Sequence, residues 1–270
     1  MTSSAGRSSP SSTEARPARP AAIAAAIDVE LRRYRNPARA PAEKAYLKSD
    51  LEFLGVGLPV MRRTVRAVKQ RHGGLNRPGL RALVGILWET PVFERRMMVV
   101  LLLEAFEPLL KPADITLLER LIRQSKTWAF VDELAIAITG PLVERHPELL
   151  SVLDRWARDG DFWLRRSAML ALLRPLRRGH CDFRRFGRYA DRMLEEREFF
   201  IRKAIGWVLR ETAKPQPDMV YAWLLPRAAR ASGVTVREAV KYLSSAQRGA
   251  VVAAYQSAKR PGKASDRAPR

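Results

Sequence analysis

Apolar residues recur along this chain every three or four positions, and Gly or Pro falls mainly where such a run stops. That spacing puts the apolar side chains of each run on one face of a helix. The pattern predicts helices over 21–33, 42–50 and from Pro59 to about Arg71, with a tight connector over 51–59. Pairs follow at 77–89 and 92–106, at 113–123 and 127–139, at 148–157 and 162–173, and at 183–195 and 198–213; runs at 218–231 and 236–259 close the chain. No stretch alternates as a half-buried strand does, so the expected class is all-α.

The pairs repeat. Asp161-Phe162-Trp163-Leu164-Arg165-Arg166-Ser167-Ala168 aligns with Glu198-Phe199-Phe200-Ile201-Arg202-Lys203-Ala204-Ile205 at an offset of 37 residues. The shared order is acid, two aromatics, an aliphatic, two cations, a small residue and an apolar one. Thr127-Trp128 stands 35 residues before Phe162-Trp163 and keeps the aromatic and the helical register. A repeat of this length is one helix pair that buries its apolar face only by stacking on its neighbours. The expected architecture is therefore an α-α superhelix, a solenoid whose second helices line a concave face and carry Trp128, Arg166 and Trp207.

The run from Phe199 to Lys214 has two faces. Ile201, Ala204, Ile205, Val208 and Leu209 form an apolar arc, while Lys203, Trp207, Arg210 and Lys214 fall together on the other side. An indole framed by cations suits stacking against a nucleic acid with its phosphates contacted. It equally suits a tryptophan packed on a neighbouring helix.

Composition sharpens the choice of partner. Of 270 residues 47% are hydrophobic, enough for a sizeable core, and 49 Lys+Arg against 28 Asp+Glu give a net charge of +21. So large an excess implies a polyanion, most simply DNA or RNA. It is not confined to the ends, since Arg62, Arg63, Arg66, Lys69 and Arg71 lie in the body. Residues 1–20, rich in Ser, Ala, Pro and Arg, read as a disordered arm and 258–270 as a basic tail, leaving 21–257 as one repeat domain. A single cysteine, Cys181, excludes an internal disulfide and a cysteine-cluster metal site, and His72, His146 and His180 lack metal-ligand spacing. No run has the roughly 20 apolar residues of a membrane span. The expected setting is the cytoplasm, and nothing demands more than a monomer; the acid-poor N-terminus also resembles a transit peptide.

Two local groupings carry chemistry. Trp128 and Asp132 are four apart and share a helical face, with Asp132 at the edge of the apolar arc. A partly desolvated carboxylate beside an aromatic suits the stabilisation of a positive centre, and it also suits a salt bridge to a neighbouring Arg, the commoner fate of such a residue in a helical protein. Arg165 or Arg166 must face outward from Leu164, Ala168 and Leu172, toward a phosphate or toward solvent. There is no Gly-rich phosphate loop, Ser/His/Asp grouping or His/Glu zinc motif.

Taken in order, Lys44 to Lys48, Phe53 to Val56 with Pro59, Trp128 to Asp132, Trp163 to Arg166 and Phe199 to Glu211 resemble the AlkD family of DNA alkylation repair glycosylases, which are built from HEAT-like repeats. The resemblance covers roughly residues 40–245. It implies a basic concave groove for duplex DNA and hydrolytic removal of positively charged N3- and N7-alkylated purines without base flipping, with no metal or cofactor. Matching residue by residue, it implies that Trp128 and Trp207 contact the deoxyribose of the lesion. Asp132 is then to stabilise the oxocarbenium sugar and position water, and Arg166 to hold a phosphate. Lys203 and Arg210, from the cationic face, and Tyr46 and Lys48, from the N-terminal block, are further DNA contacts, although Tyr46 equally fits a core.

One departure stands out. The family places two tryptophans and an acid ahead of the aspartate, and here Thr127 and Ala129 replace the first tryptophan and that acid. The replacement bears on substrate range or rate. It also keeps open a non-catalytic DNA-binding module, and more remotely a scaffold for an acidic protein.

Overall fold

A computed structural model describes residues 20–179 and 182–259. Of the arm expected at 1–20 and the tail expected at 258–270, residues 1–19 and 260–270 lie outside the described residues, as do His180 and Cys181, while Pro20 and residues 258–259 belong to the first and last helices. The helices are α1 (Pro20–Arg33), α2 (Ala40–Leu47), α3 (Leu58–Arg71), α4 (Arg77–Glu89), α5 (Phe93–Ala105), α6 (Ile115–Ser125), α7 (Trp128–Glu133), α8 (Gly140–Arg145) and α9 (Leu150–Trp156). They continue as α10 (Phe162–Leu170), α11 (Leu173–Arg177), α12 (Phe183–Met193), α13 (Phe199–Ala213), α14 (Pro217–Leu224), α15 (Gly233–Ala239) and α16 (Ser245–Lys259). Among the described residues the only extended pairing is an isolated bridge between Glu52 and Val92. The chain is an all-α superhelix, as its periodicity predicts.

Two layers run along it. Helices α5, α7, α10, α13 and α15 lie side by side in chain order, each touching the next. Helices α6, α9, α12 and α14 cover one flank of that row. The acid that opens the repeated motif is a helix cap. Asp161 accepts from the Trp163 N–H at 2.9 Å and Glu198 from the Phe200 N–H at 3.2 Å, and the Thr127 hydroxyl accepts from the Ala129 N–H at 3.4 Å. Each satisfies a backbone donor that the helix start leaves free.

The first cation of the motif folds back over the preceding loop. Arg165 donates to the Asp159 carbonyl at 2.6 Å and Arg202 to the Glu196 carbonyl at 2.7 Å, both six residues upstream. The second cation crosses to a neighbouring repeat. Arg166 reaches Asp132, 34 residues back, and Lys203 reaches Glu238, 35 residues on. The covering layer uses the same spacing: Arg155–Glu119, Tyr189–Asp154 and Arg227–Asp191 are 36, 35 and 36 residues apart. Polar pairs one repeat apart thus tie each unit to the next while the apolar faces bury.

The connector between α2 and α3 is fastened by one fully buried carboxylate. Glu94 on α5 accepts from the N–H groups of Leu54, Gly55 and Val56 at 2.9, 2.6 and 3.1 Å. Gly55 has φ of +76°, and a Cβ there would lie 2.2 Å from the Asn36 carbonyl oxygen, so only glycine fits. Glu94→Ala strands three amides and is expected to lower the unfolding free energy by about 3–5 kcal/mol. Glu94→Gln, which still accepts, should lose less; urea denaturation of both variants checks the order.

The predicted boundaries shift at several runs; the run at 218–231, for one, is α-helical only over Pro217–Leu224. The run at 42–50 is helical over Ala40–Leu47 and ends in a left-handed Lys48. The run at 162–173 stops at Leu170, and a separate short helix, α11, follows. The run at 236–259 breaks before Ser245, because the Ser244 hydroxyl accepts from the Gln247 N–H at 3.3 Å while the Gln247 side chain accepts from the Ser244 N–H at 3.1 Å. That reciprocal cap starts a new helix inside an unbroken apolar pattern.

Candidate functional site

The inner row and α2 enclose an open cavity of about 860 Å³. All eight residues singled out in the sequence line it: Tyr46, Lys48, Trp128, Asp132, Arg166, Lys203, Trp207 and Arg210. The repeat explains the convergence. Asp132, Arg166 and Lys203 are each the fifth residue after a helix cap (Thr127, Asp161 and Glu198), so stacked repeats bring them to the same height on one face. Lys214, assigned by periodicity to the same face of α13, is not among the lining residues. It instead contacts Glu211 at 2.7 Å and stands over the Tyr242 ring.

Asp132 is both in the groove and salt-bridged, so the two readings of its sequence position coexist. Arg166 holds it in a fork, with Nε to Oδ1 at 2.7 Å and Nη2 to Oδ2 at 2.8 Å. Two parallel charge-assisted bonds fix the plane of the carboxylate. Arg166 is only 3% exposed, whereas the Asp132 side chain keeps 14% of its surface open. The outward-facing arginine expected at 165 or 166 therefore turns inward to a carboxylate. Its Nη1 donates to the Phe200 carbonyl at 2.6 Å, and its guanidinium lies 5.8 Å from the Phe200 ring and 6.0 Å from the Trp207 ring.

The aromatic walls have two sources. Trp128 is half-buried and meets the exposed Tyr46 edge-on, with ring centroids 6.0 Å apart and planes at 85°. Trp207 is half-buried on α13 and packs against the core while still lining the cavity. Phe199, Phe200 and Trp163 complete the walls; the sequence signalled them only as the repeated aromatic pair.

Cations dominate the cavity, with Lys48, Lys126, Arg166, Lys203 and Arg210 facing the single carboxylate of Asp132. Glu238 lies just behind, bonded to Lys203 at 2.6 Å and also to Arg210 and Lys241. Burial alone would raise its carboxyl, but hydrogen bonds from Lys203 and Lys241 and the charges of Lys203 and Arg210 hold it down at about 2. A depressed carboxyl stabilises the fold above its unfolded value, here 4.5, and loses that contribution as pH falls toward the folded one. Thermal unfolding of Glu238→Gln should therefore depend less on pH than that of the parent chain between about pH 4.5 and 2.

Lys126 ends α6 with φ of +52°, a left-handed conformation that costs a lysine about 1 kcal/mol. Its ammonium lines the groove. Lys126→Gly is expected to hold or raise the melting temperature while removing one of the groove's cations, which thermal unfolding checks.

This is a helical-repeat protein with a cationic, aromatic-walled trough along its inner row of helices. The family model described as DNA alkylation repair enzyme matches residues 27–243, and the chain belongs to that family. Among solved structures, a DNA alkylation repair enzyme predicted in Enterococcus faecalis superposes with a TM-score of 0.71 at 22% identity, covering 78% of this chain and 97% of that one. AlkD2 from Streptococcus mutans superposes at 0.56 with 17% identity, covering 76% of this chain and 100% of the other. At these identities the likeness supports the fold. Comparison with curated proteins gives no match.

Proposed function

We propose that this chain is a monofunctional DNA glycosylase that hydrolyses the N-glycosidic bond of positively charged N3- and N7-alkylated purines in duplex DNA. The observation that carries this reading is the fork of Arg166 on Asp132, which presents a partly open carboxylate between two indoles in a cationic groove. An alkylated purine already bears positive charge, so its bond to C1′ breaks with the electron pair passing to the base, which leaves neutral. Positive charge then develops on the sugar. A fixed carboxylate at that point stabilises the transition state more than the ground state, which is what accelerates a reaction. The faces of Trp128 and Trp207 attract the same cation. Water adds to C1′ and loses a proton, leaving an abasic site. Lys48, Lys126, Lys203 and Arg210 hold backbone phosphates, and the open trough suits excision with the base left in its stack.

A second reading is a non-catalytic module that shelters damaged DNA. It is favoured by the completeness of the Asp132–Arg166 pair and by Thr127, which is buried as a helix cap where the family resemblance places a tryptophan. Release of 3-methyladenine and 7-methylguanine from methylated duplex, measured by chromatography, separates the two. Glycosylase action requires release. Tight binding of the methylated duplex with no free base would establish the sheltering role instead.

A further inference from the structure

The groove does not account for all the charge. On α12 the two faces are sharply divided, with Phe183, Phe186, Ala190 and Met193 buried and Arg184, Arg188 and Arg192 exposed at intervals of four residues. Beside α12 lies α9, with Arg158 exposed just past its end. Arg158, Arg188 and Arg192 line one small cavity of about 80 Å³ together with Asp154 and Tyr189. Neither helix contributes a residue to the aromatic cavity. Both belong to the covering layer.

The carboxylates here are already engaged. Asp154 accepts from the Tyr189 hydroxyl at 2.6 Å and from Arg185, and Asp191 is forked by Arg227 at 2.6 and 2.9 Å. Among the described residues, Arg158, Arg184, Arg188 and Arg192 make no salt bridge and no side-chain hydrogen bond, although the charge of Arg188 helps lower the Asp154 carboxyl. Four unpaired guanidiniums on one face repel one another and are relieved by an anion that takes them in forks.

We propose that this outer face of α9 and α12 is a second phosphate-binding surface, which takes the backbone of a further stretch of duplex DNA while the groove holds another. The choice of DNA rests on the DNA-acting reading of the groove and on spacing. Successive arginines at four-residue intervals rise about 6 Å along the helix. Neighbouring phosphates on one DNA strand rise about 3.4 Å along the axis and, because the strand winds, stand roughly 7 Å apart. A regular row of cations suits that regular polyanion better than an irregular acidic peptide.

The test compares the full chain with the triple variant R158Q/R188Q/R192Q. The replaced side chains are exposed, so folding should be unaffected, and circular dichroism verifies it. Sedimentation with a labelled duplex just long enough to fill the groove should show two duplexes on the parent chain at low salt and one on the variant. On the parent chain the second event should weaken with salt with a log–log slope of about −3, the share of at least three phosphate contacts. Base release from methylated duplex at saturating protein should stay within about twofold. One duplex on the parent chain, a second duplex retained by the variant, or polyglutamate taking this face in place of DNA would each overturn the proposal. If the parent chain releases no base but binds two duplexes, the glycosylase reading fails and the second surface stands.

Discussion

Asp132→Asn is expected to slow release of methylated purine by about 10²- to 10³-fold while duplex affinity stays within a few-fold. The magnitude is that of removing one preorganised group aimed at a developing charge. The side chain keeps its shape and one accepting oxygen, so the groove and its phosphate contacts are preserved. What is lost is the negative charge that the oxocarbenium sugar meets only as the bond breaks. A loss confined to the transition state lowers the single-turnover rate without weakening the ground-state complex. Single-turnover excision alongside fluorescence anisotropy with the same duplex measures both. Equal losses in rate and affinity would take Asp132 out of the chemistry and leave it a structural partner of Arg166.

The aromatic and cationic content of the groove was legible because the repeat writes it twice. Cap, two aromatics and two cations recur at 37 residues, and a stacked repeat places equivalent residues side by side. The cap role of Asp161 and Glu198 was less visible, yet it accounts for the acid in the motif and for Thr127 at the matching place. What local pattern does not reveal is which of two adjacent cations turns inward. Arg165 and Arg166 are chemically alike, and the choice is made by Asp132, 34 residues away. Glu238 escaped notice for the same reason, since its partner Lys203 lies 35 residues earlier. The cationic face of α13 is therefore partly occupied, Lys203 and Arg210 both meeting Glu238. Glu94 was also missed: its three amide donors sit 38 to 40 residues back, in the connector. The helix break at Ser244 did leave a local trace, a serine followed three residues later by glutamine, which the continuous apolar period obscured.

The pairing of Asp132 with Arg166 makes a second large effect, one that separates structure from catalysis. Arg166→Met leaves the Asp132 carboxylate without its forked partner, and Asp132→Asn leaves a guanidinium that is 3% exposed without its counter-charge. Removing either member of such a pair costs roughly 3–5 kcal/mol, much of it the penalty of the charge left behind. Asp132→Asn should fall toward the low end, since its amide oxygen still accepts from Arg166. In D132N/R166M neither charge remains, so its loss of stability should be smaller than the sum of the two single losses by about 2–3 kcal/mol. Urea denaturation of the four proteins measures that coupling. Excision should behave differently, because the double variant still lacks the carboxylate and should be as slow as Asp132→Asn. Arg166→Met, which keeps the carboxylate but frees its plane, should fall between the parent and Asp132→Asn. If the double variant recovered excision along with stability, the carboxylate would matter only for holding α7 against α10, and the charge on the sugar would have to be met by something else.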